Sequence, residues 1–334
     1  MGIKLAIYGY DSDIGKLVLE TLEEQQLDLT EVYPLSPLQG EYDAVMIDKQ
    51  NYFVTPIDTF DFSKADVALF LTTQDETQRW VQKAKEEGCI VIDDSHLFSG
   101  DEKTNLVVPE INPYAVKDAI QSRLVIPALA PSVQLCLALA ALHDEFGIAK
   151  ATATSLESAS EHGRLGTQTL AHETTLLLNG MAGDHQGFPC QLAFNLLNRM
   201  GVVEEDSYSD HENTIRSEVE RILGKFERGF DVTCIQVPVF YGHTMVVNVE
   251  LEDKASLDEV KQAFEKSQYI TLCDDEEVLS PVENIVNERT VLVSRVRQSV
   301  KGSKSFSFVT MMDNTRRGEA IPCVEIIKLL QKSL

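Results

Sequence analysis

The stretch Val125–Cys136, VIPALAPSVQLC, joins an apolar strand end to a proline-bracketed turn and a helix predicted over Ser132–His143. A helix N-terminus favours a developing anion, so turns of this kind seat nucleophiles in acyl-transfer and aldehyde-oxidising chemistry. The turn itself, Leu129-Ala130-Pro131, carries no thiol, hydroxyl or amine that could attack carbon. A second turn, Gly9-Tyr10-Asp11-Ser12-Asp13-Ile14-Gly15, follows the apolar strand Ile3–Tyr8 and opens a helix reaching about Glu24. It has the place and glycine spacing of the first βα turn of a dinucleotide-binding domain, with Ser12 where a middle glycine would let the backbone approach a pyrophosphate. Gly9, Ser12, Asp13, Ile14 and Gly15 are the candidate cofactor-binding residues. Asp11 and Asp13 oppose an arriving anion and can satisfy the helix N-terminus themselves. Asp94-Ser95-His96 ends a buried strand where such sheets bind ligands, and His96 reads as a polar contact or as an ordinary loop residue.

The elements that must position these residues alternate. A second strand spans Glu31–Pro37 and ends in Pro34-Leu35-Ser36-Pro37-Leu38, with no cation to meet a 2′-phosphate. Short strands are predicted at Ala44–Ile47 and Tyr52–Pro56, then a buried strand at Asp66–Leu71, a helix at Gln74–Glu87 and a strand at Cys89–Asp93. This alternation implies an α/β, doubly wound parallel sheet of the Rossmann type. Asn105–Ile111 leads to a helix start at Asn112-Pro113. After Gly147 the strands become Ser- and Thr-rich: Ala151–Leu156, Asp231–Val239, Thr244–Leu251, Thr290–Arg297 and Ser305–Asp313. With helices at Thr167–Leu178, Asn213–Gly224 and Ser256–Lys266, they imply a second, α+β domain with a broad antiparallel sheet. The expected division is 1–130 plus a C-terminal helix 314–334 for the first domain and 131–313 for the second.

A length of 334 residues suits two domains, and 43% hydrophobic with 25% charged residues is a globular composition. The formal charge of −24 argues against nucleic acid and anionic membranes as partners. No apolar run is long enough to span a bilayer, and no signal peptide is expected. The six cysteines, Cys89, Cys136, Cys190, Cys234, Cys273 and Cys323, form no CxxC pair. Their scatter indicates neither a disulfide framework nor a metal site and suits a reducing cytoplasm.

Four stretches in order, VVPEINP (Val107–Pro113), GFPCQLAFN (Gly187–Asn195), TCIQVPVFYGH (Thr233–His243) and DNTRRG (Asp313–Gly318), resemble the aspartate-semialdehyde dehydrogenases. The resemblance runs over nearly the whole chain. It is especially to the Usg-type paralogues, which share the fold and lack the catalytic cysteine. It implies NADP as cofactor and a homodimer formed through the second domain. In the family a thiolate attacks the aldehyde, a hydride passes to NADP, and phosphate cleaves the thioester; a cysteine suits both attack and departure. Anchored on Val133-Gln134, the family's cysteine falls on Ala130; an ungapped alignment from the preceding strand moves it to Pro131.

The same resemblance places Gln236 where the family has a substrate-carboxylate Arg, Ser99 where it has a phosphate Arg, Glu157 where it has an active-site Gln, and Pro322 where it has a cofactor-side Asn. Ser160-Glu161-His162-Gly163 stands in place of a Ser-Gly-Ala-Gly turn. His243 matches the acid–base histidine, Glu218 a substrate-ammonium carboxylate, and Arg221 a basic residue serving phosphate. Gln134 and Asn195 match motif residues. By themselves, His243 reads as a turn histidine and Glu218/Arg221 as an exposed i, i+3 pair. Cys136 lies inside an apolar helix and reads as a packed core thiol.

The favoured reading is a non-catalytic homologue that keeps the fold and dimer, with weak or absent NADP binding. The alternatives are an active NADP-dependent dehydrogenase using a displaced thiol, and a module binding a small ligand. They separate on three simultaneous losses, at Ala130, Gln236 and Ser99.

Overall fold

β-Branched and leucine-rich runs in the first third of the chain form strands buried on both faces. The computed structural model describes residues 2–37, 44–47 and 50–334. Leu38, the last residue of the Pro34–Leu38 segment, lies outside the described residues. The chain divides into two compact units, 1–128 with 319–334 and 129–318. The expected boundaries at 130 and 313 therefore move. Ala130 and Pro131 open a helix that packs in the second unit, and the Asn314 side chain is hydrogen-bonded there.

The first unit holds a seven-stranded parallel sheet among the described residues. Its order is Thr55–Pro56, Leu29–Ser36, Ile3–Tyr8, Val67–Phe70, Ile90–Asp93, Leu124–Pro127, Asn105–Val107. Alternation sends Leu5, Ile7, Leu69 and Ile92 to one face, where they cluster with Val18 of helix Asp13–Gln25, Val116 of helix Ala115–Ser122 and Ile326 of helix Ile321–Ser333. Ala6, Tyr8, Ala68 and Phe70 face the other way, toward Phe60, Phe62 and Val81 of helix Gln74–Glu86. Burial on both faces is why these strands read as continuous apolar runs. The predicted Tyr52–Pro56 strand is divided between Gln50–Phe53, antiparallel to Ala44–Ile47, and Thr55–Pro56 at the edge of the large sheet.

The second unit is built on six strands in the order Phe230–Gln236, Ile148–Glu157, His243–Leu251, Ser305–Met312, Val291–Gln298, Ile270–Leu272. The sheet is mixed rather than antiparallel throughout, because the pair at each end of this order runs parallel. The three-residue strand Ile270–Leu272 is too short to give a periodic signal. Helix Ala130–Phe146 packs against helices Asp210–Leu223 and Leu257–Lys266 and against the sheet. It is apolar nearly all round, as a helix enclosed by protein must be. It begins two positions before the predicted Ser132, since Pro131 fits a first turn whose N–H has no helical partner. Helix Asp210–Leu223 likewise starts before Asn213, because Ser209 and Glu212 form a reciprocal capping box. The chain ends in a wide turn at Arg316–Ala320 and helix Ile321–Ser333 rather than in one helix from Asn314.

Gly9 takes φ +90°, and a Cβ there would stand 2.1 Å from the Leu71 carbonyl oxygen. Gly9→Ala is therefore expected to cost about 2–4 kcal/mol, since it adds a backbone clash to a left-handed conformation. The measurement is the shift in denaturant midpoint at constant m-value.

Candidate functional site

Helix Ala130–Phe146 presents its N-terminus to a carboxylate of its own unit. The cap residue Leu129 donates its backbone N–H to Glu218 Oε2 at 2.9 Å, and Ser132 lies beside the same carboxyl group. Glu218 comes from helix Asp210–Leu223 and is fully buried, not the exposed member of a helix pair. Burial raises its pKa to about 7 against the opposing effects of the Ser132 hydroxyl, the Leu129 N–H and the Arg221 charge. The anion position at this helix end is thus already taken. Ala130 is buried beside Gly318, where a Cβ would come 2.5 Å from the Cβ of Ala130.

The end of the sheet where strands Ile148–Glu157 and Phe230–Gln236 finish and His243–Leu251 begins holds further polar residues. His243 is the first residue of its strand and fully buried, not a turn histidine. Its Nδ1 accepts the Ser158 backbone N–H at 3.2 Å, so the neutral ring carries its proton on Nε2, which donates to Glu161 Oε2 at 2.7 Å. Both nitrogens are therefore engaged. Glu161 belongs to the short turn Ala159–His162; burial would raise its pKa, but the hydrogen bond and charge of His243 lower it.

His211, from the first turn of helix Asp210–Leu223, meets Glu157 with Nε2 to Oε2 at 2.8 Å. Burial disfavours both charges, yet their attraction dominates, holding the Glu157 pKa down and pushing that of His211 up. Gln236 donates Nε2 to the Glu157 backbone carbonyl at 2.8 Å. Ser160 donates to Asn314 Oδ1 at 3.0 Å, and the Gly242 N–H donates to the same oxygen at 2.9 Å. The Asn-Thr-Arg segment thereby clamps the turn before His243 onto the turn that carries Glu161.

Other sequence-selected residues have structural partners. Gln134 is fully buried and donates Nε2 to Thr310 Oγ1 at 2.8 Å, tying helix Ala130–Phe146 to the sheet. Asn195 is exposed and donates to the Gln191 carbonyl. Cys136 is fully buried, and burial pushes its thiol well above the ordinary range. Arg221 is half-buried near Glu218. The sequence reading missed His211 and Cys234 as members of the polar group. Strand alternation was the available signal, since Ser155 pairs with Cys234 and Glu157 with Gln236 in parallel register on the buried face.

In the first unit, Ser12 caps helix Asp13–Gln25 by accepting the Gly15 N–H at 2.9 Å. A Cβ on Gly15 would stand 2.2 Å from the Gly9 carbonyl oxygen, so both glycines are required by close packing of strand, turn and helix. Asp13 and Ile14, in the first helical turn, are half-buried, and Ile14 packs against the core. At the end of strand Ile90–Asp93, Asp93 Oδ1 accepts from the Ser95 N–H and hydroxyl, and His96 takes φ +58°. Ser99 is buried nearby in sequence, and Pro322 lies buried in the first turn of helix Ile321–Ser333. No described helix is long and apolar enough to cross a membrane.

Residues 4–119 match the model of the semialdehyde dehydrogenase NAD binding domain, and residues 139–317 that of the semialdehyde dehydrogenase dimerisation domain. The aspartate-semialdehyde dehydrogenase of Shewanella violacea is 28% identical over 327 residues, covering 98% of this chain and 97% of that protein. Aspartate-semialdehyde dehydrogenase 2 of Vibrio cholerae is 29% identical over 326 residues, covering 98% and 97%. The crystal structure of aspartate semialdehyde dehydrogenase II from Vibrio cholerae, complexed with ASA, superposes with a TM-score of 0.94 at 28% identity over 99% of each chain.

The Glu218 carboxyl sets a pH dependence. Between about pH 4.5 and about 7 the folded chain keeps a proton that the unfolded chain has released, so stability falls as pH rises through that window. Glu218→Gln keeps an acceptor for Leu129 and cannot ionise. Its stability relative to the parent chain is expected to rise by about 3 kcal/mol across the window. Urea denaturation at a series of pH values measures this.

Proposed function

The chain belongs to the semialdehyde dehydrogenase family, and we propose that it is a non-catalytic member of the Usg type, keeping fold and dimer while lacking the thiol chemistry. The observation that carries this reading is Ala130, a buried methyl group at the helix N-terminus where the resemblance places the nucleophile. Neighbouring features support it. Pro131 offers no N–H to an oxyanion, and Gln236 has no charge with which to clamp a carboxylate. His243, Glu218 and Arg221 are retained from the resemblance, but the Nε2 of His243 is engaged with Glu161. Cys136, six positions further along the helix, is enclosed in the core and does not replace the missing thiol.

NADP remains the cofactor implied by the family, bound weakly or not at all. From Pro34 to Asp43 the sequence carries no Lys or Arg, and Asp11 and Asp13 flank the turn that would receive the pyrophosphate. We place the protein in the cytoplasm as a homodimer of the second unit, a reading supported by the dimerisation-domain match and by six unpaired cysteines among the described residues. The −24 charge opposes nucleic acid and anionic membranes as partners.

Purified protein given L-aspartate 4-semialdehyde, phosphate and NADP is expected to form no NADPH above background; steady turnover would overturn the reading. Ala130→Cys alone is expected to stay near background, and partial activity to require Pro131→Ser, Gln236→Arg and Ser99→Arg as well. Misplacement of reacting groups by about 1 Å costs about a hundredfold. Single-variant activity within about tenfold of an ordinary family member would show that the catalytic geometry survives.

Calorimetry is expected to give NADP a dissociation constant well above the low micromolar range. A missing charge-assisted phosphate contact removes about 1.5–3 kcal/mol, or roughly one to two decades of affinity.

A further inference from the structure

The polar group at the strand ends contains more donor atoms than its hydrogen bonds use. Glu157 Oε2 meets His211 Nε2, while Glu157 Oε1 is buried with no hydrogen-bond partner. The Cys234 thiol and the Ser155 hydroxyl face this carboxylate without satisfying that oxygen. Ligand atoms of Glu157, His211 and Cys234 all lie within 4.8 Å of one another. The side chain of Glu157 is completely buried and that of His211 is 15% exposed.

We propose that Glu157, His211 and Cys234 bind one divalent transition-metal ion of the zinc class. Three separate elements supply the donors. Glu157 ends strand Ile148–Glu157, Cys234 lies on its parallel neighbour Phe230–Gln236, and His211 stands in the first turn of helix Asp210–Leu223. Tetrahedral zinc sets sulfur, nitrogen and oxygen donors about 3.3–3.8 Å apart, and the ligand atoms of this cluster already lie within 4.8 Å of one another. A thiolate, an imidazole and a carboxylate select zinc or cobalt over calcium and magnesium, which prefer all-oxygen shells. Three protein donors leave a fourth position for water.

A second cluster, Glu157, Glu161 and His243, shares the central carboxylate. It is the weaker candidate, because His243 spends Nδ1 on the Ser158 N–H and Nε2 on Glu161. Metal binding at the first cluster displaces the Cys234 thiol proton and the His211 imidazolium proton to solvent, and the dication balances the Cys234 thiolate and replaces the imidazolium as the positive partner of Glu157. The site does not depend on whether the chain turns over an aldehyde.

The test uses the full chain, dialysed against chelator and titrated with cobalt(II). The expected result is equimolar binding with a thiolate-to-cobalt charge-transfer band in the near ultraviolet. Cys234→Ser should abolish the band, and Glu157→Gln should weaken binding at least tenfold. X-ray absorption at the cobalt edge of the unmutated protein supplies a reading that needs no variant to fold: one sulfur and at least one imidazole are expected in the shell. Absence of stoichiometric binding at about 100 μM cobalt, far above the dissociation constants of structural zinc sites, an all-oxygen shell, or a band that survives in a folded Cys234→Ser would overturn the proposal.

Discussion

The contact between Glu218 and the N-terminus of helix Ala130–Phe146 organises much of the second unit. A helix start leaves amide donors without helical partners, and its dipole attracts negative charge. Here the donor at Leu129 is met by a carboxyl group from 89 positions away in sequence. This joins helix Ala130–Phe146 to helix Asp210–Leu223. The cost appears in the raised pKa of Glu218, a carboxyl held where water cannot solvate its charge. Ala130 and Gly318 close the same end by packing too tightly for larger neighbours.

The polar residues on the sheet show a parallel substitution of purpose. Gln236, which resemblance sets in the place of a carboxylate-binding Arg, hydrogen-bonds to backbone, and its neighbour Glu157 pairs with His211. His243 keeps its position but has a carboxylate on its proton-bearing nitrogen. Such a buried network stays in place only because its charges are matched; removing one partner leaves the other unpaired at a cost of several kcal/mol. Glu157 and Gln236 are thus tied into the architecture by their own hydrogen bonds.

Much of this was legible in the sequence. Strand Ile3–Tyr8 and the helix after it followed from apolar runs and punctuating glycines, and their bounds agree closely with the structure. That the turn Leu129-Ala130-Pro131 carries no thiol, hydroxyl or amine was visible as residue identity. Other features were hidden for physical reasons. His211 and Glu157 stand 54 positions apart, so no local spacing announces them. Glu218 looked like an exposed helix partner because its burial is set by a different helix packing over it. His243 looked like a turn residue because its strand begins at the histidine itself, and only pairing with Met312 places it in the sheet.

Covalent trapping shows whether any thiol of this chain attacks the aldehyde. The protein would be incubated with L-aspartate 4-semialdehyde and NADP without phosphate, so that any thioester formed has no acceptor, and its intact mass then measured. An unmodified chain and no accompanying burst of NADPH are expected. An acyl adduct mapped to any of the six cysteines, formed with one equivalent of NADPH, would contradict the non-catalytic reading.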